Sequence, residues 1–393
     1  MVPARERNYH LDTVRVLAAF SVVFTHLRQF FLVPYAQAGH GVLVDFLYID
    51  HYLARAGVMC FFVLSGYLVG TSVIRSIAAG RWSWRDYLTQ RLTRLEIVLI
   101  PSLLLTAVLD HFGNQISSVY TQDMERYTWL NFGGCALFLQ HLLDRVTPFG
   151  CNGPLWSLSY EFWYYVLFAA IAVMLSGKTR FLPMAVLTAA LLYLMKGPIL
   201  ELFPCWCGGV LAGYLGQTVP LRSAALRRLL VAVSVVSIFI VVLAAGAHRI
   251  QGNAADYALS ALTVLLIWAC LCSQQRAGRY AVIITLFSEF SYSLYLTHSP
   301  VLRFLESVWL GNTLWKPDTL HTVLLIVPFL IAMAFAYLFY RLFEANTDRA
   351  RRWIKRNFQQ NSGMAKGARA DSNQEQISFT EPSPVQAISA DSD

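Results

Sequence analysis

The chain has 393 residues, of which 56% are hydrophobic and only 14% charged, and its mean hydropathy is +0.49. A soluble domain carries about 25% charged residues, so the composition excludes an ordinary soluble enzyme and specifies an all-α polytopic membrane protein. The net charge of +8 does not point to nucleic acid, because the basic residues fall in short segments between apolar runs, where they set topology.

Apolar runs of about 17–25 residues predict ten transmembrane helices, near 10–33, 56–74, 94–112, 153–175, 181–195, 199–217, 228–247, 256–272, 288–310 and 320–342. The first run follows MVPARERNYH and lacks the small-residue cleavage pattern of a signal peptide. Four inter-span segments hold twelve basic residues: Arg75, Arg81, Arg85, Arg91 and Arg94; Lys178 and Arg180; Arg222, Arg227 and Arg228; Arg276 and Arg279. The five intervening segments hold six, namely Arg55, Arg126, Arg145, Lys196, Arg249 and Lys316. By the positive-inside rule both termini are expected in the cytoplasm, with the chain integral to the cytoplasmic (inner) membrane. Residues 8–346 form the membrane domain. Residues 357–393 are polar and without apolar periodicity, and are expected to be a disordered cytoplasmic tail.

The first span, LDTVRVLAAFSVVFTHLRQF, carries Arg15 and, eleven residues on, His26. In a helix these lie roughly 16 Å apart along the axis, and eleven steps of about 100° return to the same face. An arginine at the centre of an inserting helix costs about 2.5–3.5 kcal/mol, which asks for a function. Asp12, one turn earlier, either neutralises Arg15 or lines the same cavity. His26 is either a general base for a hydroxyl or a histidine bonded to a neighbouring helix. RLTRL puts Arg91 and Arg94 on one helix face. Such a pair grips phosphate oxygens in bidentate fashion, or else marks topology and meets lipid headgroups.

In FFVLSGYLVG, Ser65 and Gly66 fall at mid-membrane, where small residues mean close helix packing. CNGPLWSLSYEFWYYV enters the fourth span and sets Glu161 roughly 12 Å below the surface. A carboxylate there must be paired or line a wet cavity, by orienting His26, binding a sugar hydroxyl or neutralising an arginine. Tyr160, with Trp156, Trp163, Tyr164 and Tyr165, forms an interfacial belt or stacks on sugar rings. FSYSLYLTHSPV places His298 in the ninth span ahead of Pro300, either in the same cavity or satisfied within the core. The seven cysteines make no metal framework. Cys135 and Cys151 fall in or beside one outer loop and are a candidate disulfide.

Together these features resemble the membrane-bound acyltransferase 3 family, bacterial integral-membrane O-acyltransferases of surface glycans. Arg15 and His26 match its amino-terminal Arg–ten residues–His pattern, and Arg91 and Arg94 its Arg-x-x-Arg. FFVLSGYL is similar to its Ser-Gly element, GPLWSLSYEFWYY to its tryptophan-to-glutamate element, and FSYSLYLTHSPV to its late Ser-Tyr-Ser element. The final span ends RLFEANTD, whereas many relatives place proline soon after the glutamate, which leaves the role of Glu344 open.

The resemblance implies transfer of an acyl group, acetyl by default, from cytoplasmic acyl-CoA to a hydroxyl of an extracytoplasmic glycan or glycolipid. Acyl-CoA is a co-substrate, and no bound cofactor or metal is expected. His26 would be the general base or an acyl relay, Glu161 its helper, and Arg15, Arg91 and Arg94 the acyl-CoA site. Asp12, Ser65, Tyr160 and His298 are the further candidates for the cavity lining. Many relatives carry a fused extracytoplasmic domain; here a separate partner protein, unaided transfer or a different acceptor is expected instead. The rival reading is a proton-coupled exporter or a flippase of a lipid-linked sugar, although no inverted repeat of the usual kind is seen.

Overall fold

A computed structural model describes residues 7–39, 41, 44, 47–48, 52–177, 181–250, 252–273 and 278–357. Most of the predicted tail, and Lys178, Arg180 and Arg276, lie outside the described residues. The architecture is all helical, with no strand among the described residues. The main helices are α1 (Tyr9–Phe31), α2 (Leu53–Ala78), α3 (Trp84–Ile116), α4 (Trp156–Leu175) and α5 (Phe181–Leu194). They are followed by α6 (Phe203–Thr218), α7 (Ala224–Gly246), α8 (Asn253–Leu271), α9 (Ser291–Trp309) and α10 (Ile326–Leu342).

Eight helical stretches are long and apolar enough to cross a membrane, and they contain all of these except α5 and α9. The protein is therefore multi-pass. α5 falls short in length, at 14 residues. α9 has 19 residues, but Ser293, Thr297, His298, Arg303 and Glu306 dilute its apolar content.

Caps and prolines set the local geometry. The Asn8 side chain accepts from the Leu11 N–H at the start of α1, and Ser83 does the same for Asp86 at the start of α3. Pro300 has no N–H, so it leaves the Leu296 carbonyl without its intrahelical donor. The Asn152 side-chain amide fills that vacancy at 3.0 Å, and also donates to Thr106 Oγ1 at 3.2 Å. Thr106 and Leu296 lie roughly 15 and 20 Å inside the ends of α3 and α9 to which they belong. The segment leading to α4 therefore reaches into the helix bundle, between α3 and α9.

α1 packs on α2 and α9; α9 packs in turn on α3 and α10; α6 crosses α2 and α8; α7 lies on α8 and α5 on α4. Between α2 and α6 the backbones almost touch. A Cβ at Gly66 would sit 1.8 Å from the Trp206 carbonyl oxygen, and one at Gly209 would sit 1.9 Å from that of Val63. This is the small-residue packing expected of a membrane interface. Here α2 passes through one π turn, Gly66–Gly70. Gly66→Ala is expected to lower the melting temperature of the purified protein, at the upper end of the about 1–3 kcal/mol cost of overpacking. A wild-type melting curve would contradict the tight crossing.

Arg55 on α2 holds Asp256 on α8 through two bonds of 2.9 and 2.7 Å, with its guanidinium over the Trp156 ring. This residue, counted above as a loop charge, is a structural cross-link. All seven cysteines are free thiols, so Cys135 and Cys151 do not form the candidate disulfide.

Candidate active site

Five helices, α1, α2, α3, α4 and α9, enclose a cavity of about 300 Å³. Arg15, Ser65, Arg91, Arg94 and Glu161, each singled out by sequence, all line it, with Tyr165, Tyr292 and Tyr295 among the other walls. The three arginines come from the ends of α1 and α3 that lie together. Arg94 is exposed at the mouth, while Arg91 lies further in, its guanidinium near the rings of Tyr87 (5.6 Å) and Tyr165 (5.9 Å). Arg91 Nε is buried without a protein partner, and no carboxylate lies within 4 Å of Arg91 or Arg94 among the described residues.

Asp12 forms an ion pair with Arg15, although it holds Arg7 more tightly. Its tight partner is Arg7, at 2.6 Å, and its other oxygen accepts from the Ser288 hydroxyl at 2.8 Å; Arg15 stands 3.8 Å away. Asp12 ties the start of α1 to the short helix Ala281–Glu289, where Arg7 also reaches Glu289. It is absent from the cavity wall. A guanidinium cluster of this kind can receive an anion with several oxygens through charge-assisted, forked hydrogen bonds.

Glu161 is held by a directional chain of hydrogen bonds. The Trp206 indole N–H donates to Ser65 Oγ at 3.2 Å, Ser65 donates to Tyr165 OH at 3.1 Å, and Tyr165 donates to Glu161 at 2.5 Å. Each donor is used once, so the chain fixes the carboxylate's rotamer and its charge toward the cavity. Sequence inspection placed Tyr165 in an aromatic belt and passed over Trp206; only the α2–α6 crossing brings the two together. Tyr165→Phe removes the link and leaves Ser65 and Glu161 each one partner short, at a cost of about 1–3 kcal/mol. About a tenfold or greater loss of activity with normal membrane levels is expected, and unchanged activity would show that the chain does not orient Glu161.

His26 lies on the same face of α1 as Arg15 but outside the wall of this cavity, and Glu161 makes no hydrogen bond to it. Its neighbours are Phe30, stacked at 6.0 Å between ring centres, and His298, at 5.2 Å. His298 is fully buried and stands 5.9 Å from the ring of Tyr295, which does line the cavity and shares a 2.7 Å hydrogen bond with Ser157. The histidine pair thus lies one aromatic ring beyond the cavity. Tyr160 also stands off the wall, packed on Phe62, Trp156 and Tyr164. Glu344, whose role the sequence left open, accepts from the Ser293 N–H at 3.1 Å and its hydroxyl at 2.6 Å. It thereby caps the first turn of α9.

The site thus joins an arginine-lined cavity, a carboxylate held by a tyrosine, and a pair of imidazoles just beyond the cavity wall. The chain belongs to the acyltransferase 3 family: the family's profile, described as an acyltransferase domain, matches residues 8–341. It is 26% identical over 309 residues to an O-acetyl transferase of Shigella phage Sf6, a match covering 74% of this chain and 83% of that relative. No solved structure matches the chain significantly. The protein is a multi-pass membrane acyltransferase.

Proposed function

We propose that the protein transfers an acetyl group from cytoplasmic acetyl-CoA to a hydroxyl of an extracytoplasmic glycan or glycolipid, from a position in the inner membrane. The observation that carries this reading is the convergence of Arg15, Arg91 and Arg94 on one cavity whose far wall, Tyr295, touches the histidine pair. Coenzyme A is a phosphate-bearing nucleotide on a thin flexible arm. Its phosphates match the arginine cluster at the mouth, and a cavity of about 300 Å³ suits the arm rather than the nucleotide.

Threaded this way, the thioester is carried from the arginines toward His26. There the hydroxyl oxygen of the acceptor attacks the acyl carbon, His26 takes the hydroxyl proton, and the departing CoA sulfur receives it back. Glu161, fixed by Tyr165, faces the donor arm from the cavity wall, a different task from the orientation of His26 expected from the sequence. Membership of an acyltransferase family weighs against the exporter or flippase reading. The acceptor arrives alone or on a separate extracytoplasmic partner protein. Purified protein in lipid nanodiscs, given acetyl-CoA and an envelope-glycan extract, should release free CoA thiol only when both are present. No release with any donor and acceptor of a broad panel, from folded protein, would overturn the reading.

A further inference from the structure

A histidine that acts as a base needs its second ring nitrogen held, and a carboxylate is the usual holder. Among the described residues no carboxylate is hydrogen-bonded to either histidine: Glu161 is engaged by Tyr165, Asp12 by Arg7 and Ser288, Glu344 by Ser293, Glu306 by Arg303, and Asp110 accepts from the Cys151 N–H. Beside His26 lie the Gln29 side chain, one turn along α1, and, from α9, a second imidazole. His298 Nδ1 is 3.0 Å from the Leu294 carbonyl, one turn back on α9. A carbonyl only accepts, so Nδ1 carries the proton and the neutral ring presents a lone pair at Nε2. That Nε2 is buried without a protein partner, and so is His26 Nδ1. One orphan is an obligate acceptor and the other can donate, with the rings 5.2 Å apart.

We infer that His298 is the positioning residue of the base: its Nε2 accepts a hydrogen bond from His26 Nδ1–H, which leaves His26 Nε2 with the lone pair that receives the acceptor's proton. The inference rests on the reading of His26 as base given above. The two nitrogens are not bonded in the free protein, and the contact closes when substrate binds, as catalytic hydrogen bonds commonly do. The step balances within the pair and its substrates. The O–H bond of the acceptor breaks as its oxygen bonds the acyl carbon. His26 Nε2 holds that proton while the carbon–sulfur bond breaks, then gives it to the sulfur. His298 keeps its own Nδ1 proton throughout and stabilises the transient positive charge on His26. Pro300, two residues on, bends α9 just after this turn, and Asn152 secures the freed carbonyl beside it.

Two substitutions separate this role from packing. His298→Asn keeps a donor for the Leu294 carbonyl and loses the acceptor at the far edge of the ring; His298→Gln reaches that edge with an oxygen. Steady-state acetyl transfer in nanodiscs should show kcat about 10²-fold lower for His298→Asn, with the KM for acetyl-CoA unchanged. His298→Gln should recover at least tenfold of that loss. Unchanged acetyl-CoA binding and melting temperature in both variants certify the fold. Wild-type kcat in His298→Asn, or equal loss in both variants, would overturn the inference. His26→Ala run alongside distinguishes the two levels: an active His26→Ala overturns the base reading itself, whereas an inactive one beside an active His298→Asn overturns only the positioning role.

Discussion

His26→Ala abolishes acetyl transfer, lowering kcat by about 10³-fold or more, while the variant still binds acetyl-CoA. The size of the effect follows from the role given to His26: a positioned base contributes about 10²–10⁴ in rate, and the other imidazole, His298, is fully buried behind it whereas His26 is partly exposed. Donor binding survives because His26 is outside the wall of the cavity that holds the arginines. The measurement is single-turnover acetyl transfer together with equilibrium titration of acetyl-CoA. Transfer at more than about a tenth of the wild-type rate would remove His26 from the chemistry. An accumulating acetyl-histidine in the wild-type protein would instead show the covalent form of the same role.

Arg91→Ala and Arg94→Ala are expected to act on donor affinity. A hydrogen bond to a charged group contributes about 1.5–3 kcal/mol, so each substitution should raise the KM for acetyl-CoA by roughly 10–100-fold and leave kcat nearly unchanged. Lysine at either position should restore only part of the loss, because a point charge lacks the guanidinium fork. S-acetylpantetheine supplies the control. It carries the thioester but not the nucleotide phosphates, so the wild-type protein and both variants should use it equally. Equal impairment with both donors would mean that the arginines support the fold or the thioester end, not the phosphates.

Much of the site could be read directly from the chain, because charge in an apolar span is conspicuous. Arg15, Arg91, Arg94 and Glu161 stand out for that reason, Ser65 as a small residue at mid-span, and all five line one cavity. What the chain could not convey is register between helices. The placing of α4 depends on a segment that reaches Leu296, held there by hydrogen bonds from the Asn152 side-chain amide to the carbonyl freed by proline and to Thr106. The closeness of His26 to His298 depends on how far α1 slides along α9, and nothing in either span encodes that offset alone. Trp206 entered the site through a glycine-to-glycine crossing of α2 and α6. The span count fared similarly: α9 is a full helix of 19 residues, yet its buried polar residues make it less apolar than the eight long spans.

The central claim is directional: the donor enters from the cytoplasmic side, through the arginine-lined mouth, and CoA cannot cross the bilayer. The most direct measurement is therefore acetyl-CoA-dependent thiol release from membrane vesicles of defined orientation, with His26→Ala vesicles as the background. Inside-out vesicles, whose cytoplasmic face meets the added acetyl-CoA, should release thiol in the presence of enclosed glycan acceptor, and sealed right-side-out vesicles should release none. Release from the right-side-out vesicles, or equal release from both, would contradict a cytoplasmic arginine mouth and with it the route assigned to the donor.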